Sequence, residues 1–202
     1  MHYHFYRSGY STIIRESRDF SCVILDRDGT INQDSDDYIK TPEEWIPLPG
    51  ALEAIARLNH AGWHVVVATN QAGIGRGMID MASVNAVHVH MVQRVQAVGG
   101  RIDAVFFCPH TPEDHCECRK PLPGMMRDIG NRYGADLSSV PMASDTVRDL
   151  EAAQAAGEDP RGLGHALDHE ARRHHRLGGQ AARGREVLVQ VLLGERHVLD
   201  RH

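Results

Sequence analysis

The sequence predicts an α/β protein built on a parallel sheet, and three observations carry this. Short apolar runs recur along the chain, each ending at a polar residue, as strands buried on both faces do. Stretches with apolar residues every three or four positions separate them, the spacing of amphipathic helices. Asp26, Thr69, Cys108 and Asp145 fall at or just past the ends of the runs, where ligands bind in folds of this class.

The elements follow in order. The run 22–26 (CVILD) predicts a first strand that ends in acid. A polar loop carrying Asp34, Asp36 and Asp37 follows, punctuated by Pro47, Pro49 and Gly50. Leu52, Ile55, Ala56 and Asn59 share one face of a helix that Gly62 stops. The run 63–69 (WHVVVAT) predicts a second buried strand, and a loop with Gly73, Gly75 and Gly77 comes next. Val84, Val87, Met91, Val95 and Val98 mark a longer helix near 80–98, ended by Gly99 and Gly100. A third strand is expected at 102–107, a helix at 123–133 with Gly134 as stop, a short fourth strand at 140–143, and a helix at 147–156 stopped by Gly157.

Both ends depart from this alternation. Residues 1–19 hold aromatics without a clean period and read as a partly ordered extension. Residues 158–202 contain eight Arg, six Gly and six His, with no Lys and no aromatic residue. That composition, with 187–193 as its one strand-like run, predicts an atypical tail: disordered, or the product of an alternate reading frame. The domain itself is placed at 20–157.

Composition narrows the function classes. The chain has 202 residues, 42% hydrophobic and 24% charged, which is ordinary for a globular protein with its own core. A net charge of −5 and the lack of a basic helix stripe argue against nucleic acid as partner. No apolar run is long enough to span a membrane, and 1–10 has no apolar signal region, so a cytoplasmic protein is expected. Four cysteines at this length make no disulfide framework. Cys22, inside the first strand, reads as a small core residue, and Trp45 and Trp63 as packing residues.

The sharpest motif is Asp26-Arg27-Asp28-Gly29-Thr30, directly after a strand. Two carboxylates two residues apart can divide the labour: one attacks phosphorus as nucleophile, the other moves a proton. Gly29 lets the backbone turn tightly beside a ligand. Thr69 and Asn70 end the second strand, where a hydroxyl and backbone N–H groups suit a phosphate oxygen. Arg119 and Lys120 supply adjacent cations. Asp145 and Asp149 follow the fourth strand and, with Asp26 and Asp28, offer oxygen ligands for Mg²⁺. Taken alone, the first motif also fits an acidic strand-end turn, and it is the ordered set that argues for phosphate chemistry.

Cys108, His110, Cys116 and Cys118 form a second constellation within eleven residues. Three thiolates and an imidazole complete a tetrahedral Zn²⁺ site with no position left for water, so a structural zinc is predicted. His115 is a weaker ligand candidate. An exposed thiol-rich loop is the alternative. The zinc loop, 108–118, runs straight into Arg119-Lys120-Pro121, and a closed metal site there would stiffen the loop and position the cations.

With these motifs in hand, the sequence resembles the haloacid dehalogenase superfamily of phosphotransferases. Asp26 and Asp28 match its first motif, Thr69 its second, Lys120 its third, and Asp145 with Asp149 its fourth. Within it, 23–157 is similar to the zinc-loop family of D-glycero-D-manno-heptose 1,7-bisphosphate 7-phosphatases, whose near relatives include histidinol-phosphate phosphatase domains. The strings LDRDGTINQDSDDYIK, FFCPH, CECRKPLPGM and DTVRDLEAAQAAG carry the resemblance.

The resemblance implies a Rossmann-like domain with a minimal cap. It also implies removal of the C7 phosphate through an aspartyl-phosphate on Asp26, in the cytoplasmic supply of activated heptose for lipopolysaccharide or S-layer glycans. Asp28 is then the acid–base group and Lys120 screens the charge. Asp34, Ser35, Asp36 and Asp37 match the substrate loop, for which a solvated acidic loop is the alternative reading. Thr69, Asn70, Gln71 and Ala72 would cradle phosphate, and Arg119 and Lys120 would contact it. Mg²⁺, structural Zn²⁺, a small sugar phosphate as partner and a monomeric state complete the expectation. Histidinol-phosphate phosphatase, a broad small-molecule phosphomonoesterase and a non-catalytic zinc-binding protein are the competing readings. The sequence departs from relatives at Ser144-Asp145-Thr146, where some carry a lysine after the aspartate, at Ala72, often a serine, and beyond 157, where they continue with an apolar strand and a helix.

Overall fold

The structure is a computed structural model, and it describes residues 21–157. The extension 1–19 and the tail 158–202, with its strand-like run 187–193, lie outside the described residues.

Four parallel strands form one sheet in the order β3-β2-β1-β4: β1 (Cys22–Leu25), β2 (His64–Asn70), β3 (Ala104–Cys108) and β4 (Met142–Ala143). Cys22 pairs with His64 and Leu25 with Val67, Thr69 pairs with Phe107, and Leu25 also pairs with Ala143. Helices α1 (Ala51–His60), α3 (Met81–Ala97), α4 (Gly124–Tyr133) and α5 (Val147–Ala156) fill the connections, with a single turn, α2 (Ala72–Gly75), inside the Gly-rich loop. No helix among the described residues is long and apolar enough to cross a membrane.

Alternation along the strands builds two cores. Val23, Leu25, Val65, Val67 and Val105 face one side and pack with Leu52 and Ile55 of α1 and Val87, Met91 and Val95 of α3. Ile24, Val66, Ala68 and Phe106 face the other, against Met125, Met126 and Ile129 of α4 and Ala152 and Ala153 of α5. Each fully buried aliphatic side chain contributes about 1.5–3 kcal/mol relative to exposure. Trp45 is buried in the first core and Trp63 packs against it, while Cys22 lies in the second, so all three are packing residues.

The helix ends follow their signals. The Asp80 side chain accepts from the Ser83 N–H at 2.7 Å to cap α3, and Gly134 and Gly157 take φ of +61° and +90° after α4 and α5. Boundaries differ in places. The fourth strand is two residues, because Pro141 has no N–H for the ladder and contributes only its carbonyl, which accepts from Ile24 N–H at 2.9 Å. Val98 caps α3 and is exposed. The sheet's carboxyl ends bring the loops after β1, β2, β3 and β4 to one edge.

Candidate active site

Asp26 leaves the end of β1, the strand flanked by β2 and β4, and is 7% exposed. Its Oδ1 accepts from the Arg27 backbone N–H at 2.7 Å and pairs with Lys120 Nζ at 3.0 Å. Lys120, 2% exposed, also forms an ion pair with Asp149 and donates to the Ala68 carbonyl at 2.8 Å. Asn70 holds the lysine from β2: its Oδ1 accepts from the Lys120 N–H at 3.2 Å and its Nδ2 donates to the Lys120 carbonyl at 3.1 Å. The Lys120–Pro121 bond that follows is cis. Thus β1, β2, the loop after β3 and α5 converge on one ammonium group.

The electrostatics follow from that crowding. Burial, then the Asp149 charge, raise Asp26 to about 8, against the lowering effect of Lys120. Burial first and Asp149 next raise Asp145 to about 6. Lys120 is raised: Asp26 and Asp149 outweigh the burial that opposes its charge. Asp28 is lowered, because the Arg27 charge and hydrogen bonds from Arg27, Asn32 and Gln71 overcome burial.

These carboxylates differ in what they can give a cation. Asp149 is closed to solvent; its Oδ2 accepts from Ser144 Oγ at 2.7 Å and from Thr146 Oγ1, and its Oδ1 faces Lys120. Both Asp28 side-chain oxygens are engaged by Arg27, Asn32 and Gln71. The Asp28 and Asp149 side chains, offered by the sequence as Mg²⁺ ligands, thus already have protein partners on both oxygens. Asp26 and Asp145 are the least engaged, and both are raised by burial first and by the Asp149 charge next, a cost of ionisation that a hard divalent cation would offset, so this pair fits Mg²⁺. Gly29 makes room for the Asp145 carboxylate. Its φ is +76°, and a Cβ added there would lie 2.1 Å from Asp145 Oδ2.

The second constellation assembles as expected. Cys108 is the last residue of β3, and the ligand atoms of Cys108, His110, Cys116 and Cys118 all lie within 4.8 Å of one another. The sulfurs of Cys108 and Cys116 are 3.6 Å apart, those of Cys118 and Cys116 3.5 Å, and His110 Nδ1 lies 3.3 Å from Cys118 Sγ. A tetrahedral Zn²⁺ with bonds of about 2.3 Å to sulfur and about 2.0 Å to nitrogen would space its ligands at about 3.5–3.8 Å, so the donor set fits zinc. Burial pushes the Cys108 thiol up, as it does a thiol that lacks a cation. The loop grips its surroundings: Arg119 Nη1 donates to the His110 carbonyl at 3.2 Å, and the Gly75 N–H donates to the Pro109 carbonyl at 2.9 Å.

A cleft of about 280 Å³ lies beside the acid cluster, and Asp28, Asp34, Ser35, Asn70, Gln71, Ala72 and Arg119 line it, whereas Lys120, expected to contact phosphate, is buried outside its lining. Asp36 and Asp37 are exposed outside its lining. Thr69 is buried, with Gln71 Nε2 within 3.0 Å of its Oγ1. The side chains of Asn70 and Gln71 are occupied by Lys120 and by Asp28, Arg27 and Thr69, so what they leave for a ligand is backbone.

Sequence reading missed Arg27, Tyr38, Arg76 and Arg148 in the cleft wall, the Ser144 and Thr146 hydroxyls on Asp149, and buried His88. For His88 one signal existed, a polar residue on the apolar face set by Val84, Val87 and Met91. The arginines carried none.

The comparisons agree with this geometry. Residues 23–157 match the family described as haloacid dehalogenase-like hydrolase. The D-glycero-beta-D-manno-heptose-1,7-bisphosphate 7-phosphatase of Bordetella bronchiseptica is 57% identical over 138 residues, 68% of this chain and 77% of the relative. Its counterpart in Pseudomonas aeruginosa is 55% identical over 140 residues, 69% and 79% of the two chains. A crystal structure of the B. bronchiseptica D,D-heptose 1,7-bisphosphate phosphatase, complexed with magnesium and phosphate, superposes with a TM-score of 0.71 at 47% identity, covering 86% of this chain and 98% of that one. The ordered acid cluster, the matched span and this level of identity establish that the chain belongs to the haloacid dehalogenase-like hydrolases.

Proposed function

We propose that this chain hydrolyses the C7 phosphate of D-glycero-D-manno-heptose 1,7-bisphosphate, a step in supplying activated heptose for surface glycans. The observation that carries the reading is the buried Lys120 ammonium between Asp26 and Asp149, beside a cleft walled by acid and arginine that the nearby chain positions Asp28 and Arg119 line. The relatives' names and the magnesium–phosphate complex of the B. bronchiseptica enzyme support it.

The residues divide as follows. Asp26 attacks phosphorus in line; the bond from phosphorus to the sugar oxygen breaks as that to the Asp26 oxygen forms, and Asp28 passes a proton to the departing oxygen. Asp28 then takes a proton from water, whose oxygen displaces the Asp26 carboxylate and releases inorganic phosphate. Arg27, Asn32 and Gln71 hold Asp28 ionised, the form the second half uses. A phosphate dianion arriving beside it raises its proton affinity, as the first half requires. Lys120 keeps the charge at Asp26 compensated before and after transfer. Mg²⁺, when bound, offsets the charge of the transferring phosphoryl group; Asp26 and Asp145 would hold it. Cys108, His110, Cys116 and Cys118 would hold a structural Zn²⁺. Asp34 and Ser35 accept and donate hydrogen bonds to sugar hydroxyls, and Arg119 takes phosphate. The enzyme acts as a cytoplasmic monomer on a sugar phosphate, with the magnesium-dependent site complete in one chain.

The test is phosphate release with added Mg²⁺ from both anomers of the heptose bisphosphate and from histidinol phosphate. Preferential turnover of the heptose bisphosphate, the beta anomer first by the relatives' names, is the expected result. Preference for histidinol phosphate overturns the substrate assignment.

A further inference from the structure

Arg27 stands between the two motif aspartates, yet it is only 1% exposed. A guanidinium does not shed its proton, so a buried one must spend its N–H groups on fixed acceptors. Arg27 Nε and Nη2 donate to the two oxygens of Asp28, each at 2.9 Å, as a two-point fork. Nη2 also donates to Gln71 Oε1 at 3.1 Å. Nη1 reaches His88 Nε2 at 3.2 Å, across sixty-one residues of sequence. A guanidinium can only donate, so Nε2 accepts and the ring proton sits on Nδ1.

His88 comes from α3 and is 2% exposed, with its ring edge-on to Phe107 at 5.4 Å. Burial, then the Arg27 charge, lower it to about 3, so it is a neutral acceptor. Asp28 is held from its other sides as well. Asn32 Nδ2 donates to Oδ1 and Gln71 Nε2 to Oδ2, both at 2.9 Å, and the Asn32 amide is itself oriented by Trp45 Nε1 at 2.9 Å.

We propose that Arg27 and His88 are positioning residues for the acid–base carboxylate: His88 fixes the Arg27 guanidinium, whose fork fixes the plane of Asp28. This rests on the assignment of Asp28 above. The fork and its carboxylate belong to adjacent residues, so they need outside anchors to keep from rotating together. Gln71 and Asn32 hold the carboxylate edge, and His88 anchors the far nitrogen of the guanidinium, Nη1. It ties the group that must meet the leaving oxygen to a helix buried in the first core, and placement of a proton donor is sensitive at the level of an ångström.

Leaving-group dependence tests this. The value of kcat/KM covers steps through cleavage of the ester bond. An alkyl phosphate needs its leaving oxygen protonated, whereas nitrophenolate leaves p-nitrophenyl phosphate without a proton. His88→Leu should lower kcat/KM on an alkyl phosphate about tenfold and on p-nitrophenyl phosphate by less than about threefold, and His88→Gln, which keeps an acceptor, should restore most of the alkyl activity. Arg27→Lys, which keeps the charge and loses the fork, should discriminate in the same sense and serves if His88→Leu does not fold. Equal losses on both substrates, or no loss in either variant, overturn the proposal. Running the comparison on glycerol 3-phosphate beside the heptose bisphosphate separates it from the substrate reading: failure on the heptose alone leaves this test intact. A wild-type enzyme inert toward every alkyl phosphate overturns both.

Discussion

Lys120 Nζ lies 3.0 Å from Asp26 Oδ1 in a site that excludes nearly all solvent from the lysine, and Asp149 meets the same ammonium from α5. The nucleophile candidate thus shares its counter-ion with a carboxylate that has no access to the cleft, which makes Lys120 a keystone for both charge and packing.

Replacing Lys120 with Met should therefore act twice. It leaves Asp26 and Asp149 buried without their partner, a loss of about 3–5 kcal/mol in stability. Turnover should fall by more than about a hundredfold, since placed charge at a phosphoryl-transfer site carries most of its catalysis. Lys120→Arg should not rescue it, because a planar fork does not replace three converging N–H donors to Asp26, Asp149 and the Ala68 carbonyl. Denaturant unfolding and phosphate release check both effects, and a stable, active Lys120→Met protein contradicts the assignment.

Asp26→Asn should abolish turnover, an amide being a poor nucleophile, while Asp28→Asn should retain substrate binding and slow hydrolysis. Acid quench of the Asp28→Asn enzyme with labelled p-nitrophenyl phosphate, whose leaving group needs no proton, should trap phosphate on the protein. Turnover by Asp26→Asn near the wild-type rate would rule out a covalent route through that residue.

The protein should carry one zinc per chain. Cys116→Ser should release it, with loss of activity preceding loss of the sheet, because the loop reaches the cleft through Arg119 while β1 to β3 have their own core. Metal analysis and far-ultraviolet circular dichroism before and after chelation read the two separately.

Stability should depend on pH through the acid cluster. A carboxyl raised in the folded state stabilises most fully below its unfolded value and loses that contribution as pH rises through the folded one. Asp26, raised from 3.8 to about 8, should make the metal-free protein progressively less stable as pH rises from about 4 to about 8, with no further loss from this group above that. His88 acts the other way between about 3 and 6.5, so above 6.5 it does not interfere. Added Mg²⁺ should remove most of the loss seen above 6.5 by binding the ionised form. Thermal unfolding at pH 6.5 and 8.5, with and without Mg²⁺, measures this; a metal-free protein equally stable at both would show that Asp26 is already ionised.

Gly29→Ala should cost stability of about 1–2 kcal/mol for the left-handed backbone. It should also weaken Mg²⁺ activation, because the new Cβ would occupy the place of the Asp145 carboxylate. A magnesium titration of activity distinguishes that displacement from simple destabilisation.

The legible part of this protein was what short-range pattern encodes. Apolar runs ending at or just before Asp26, Thr69 and Cys108 located three strands and the edge on which the site stands, and the spacing of Cys108, His110, Cys116 and Cys118 located a candidate metal site. The hidden part depends on orientation. Nothing local distinguishes Arg27, which turns inward to grip Asp28, from any other arginine in a polar loop. Asp149 and Asp145 look equivalent in sequence; only the placement of Ser144, Thr146 and Lys120 commits Asp149 to the lysine. Asp36 and Asp37 look like Asp34, yet the loop's turn leaves them outside the cleft. The single turn at 72–75 was unreadable because its glycines signal a loop.

The sheet order places β1 between two neighbours, so the residue at its end is held by ladders on both sides. The segments around it, near 34–38, 72–76 and 109–119, lie outside the strands, in the connections between them. Drift in those connections can reshape what enters while the reactive carboxylate keeps its address. Grafting such segments between relatives should therefore exchange substrate preference at little cost to turnover, whereas altering the register of β1 should extinguish every activity at once.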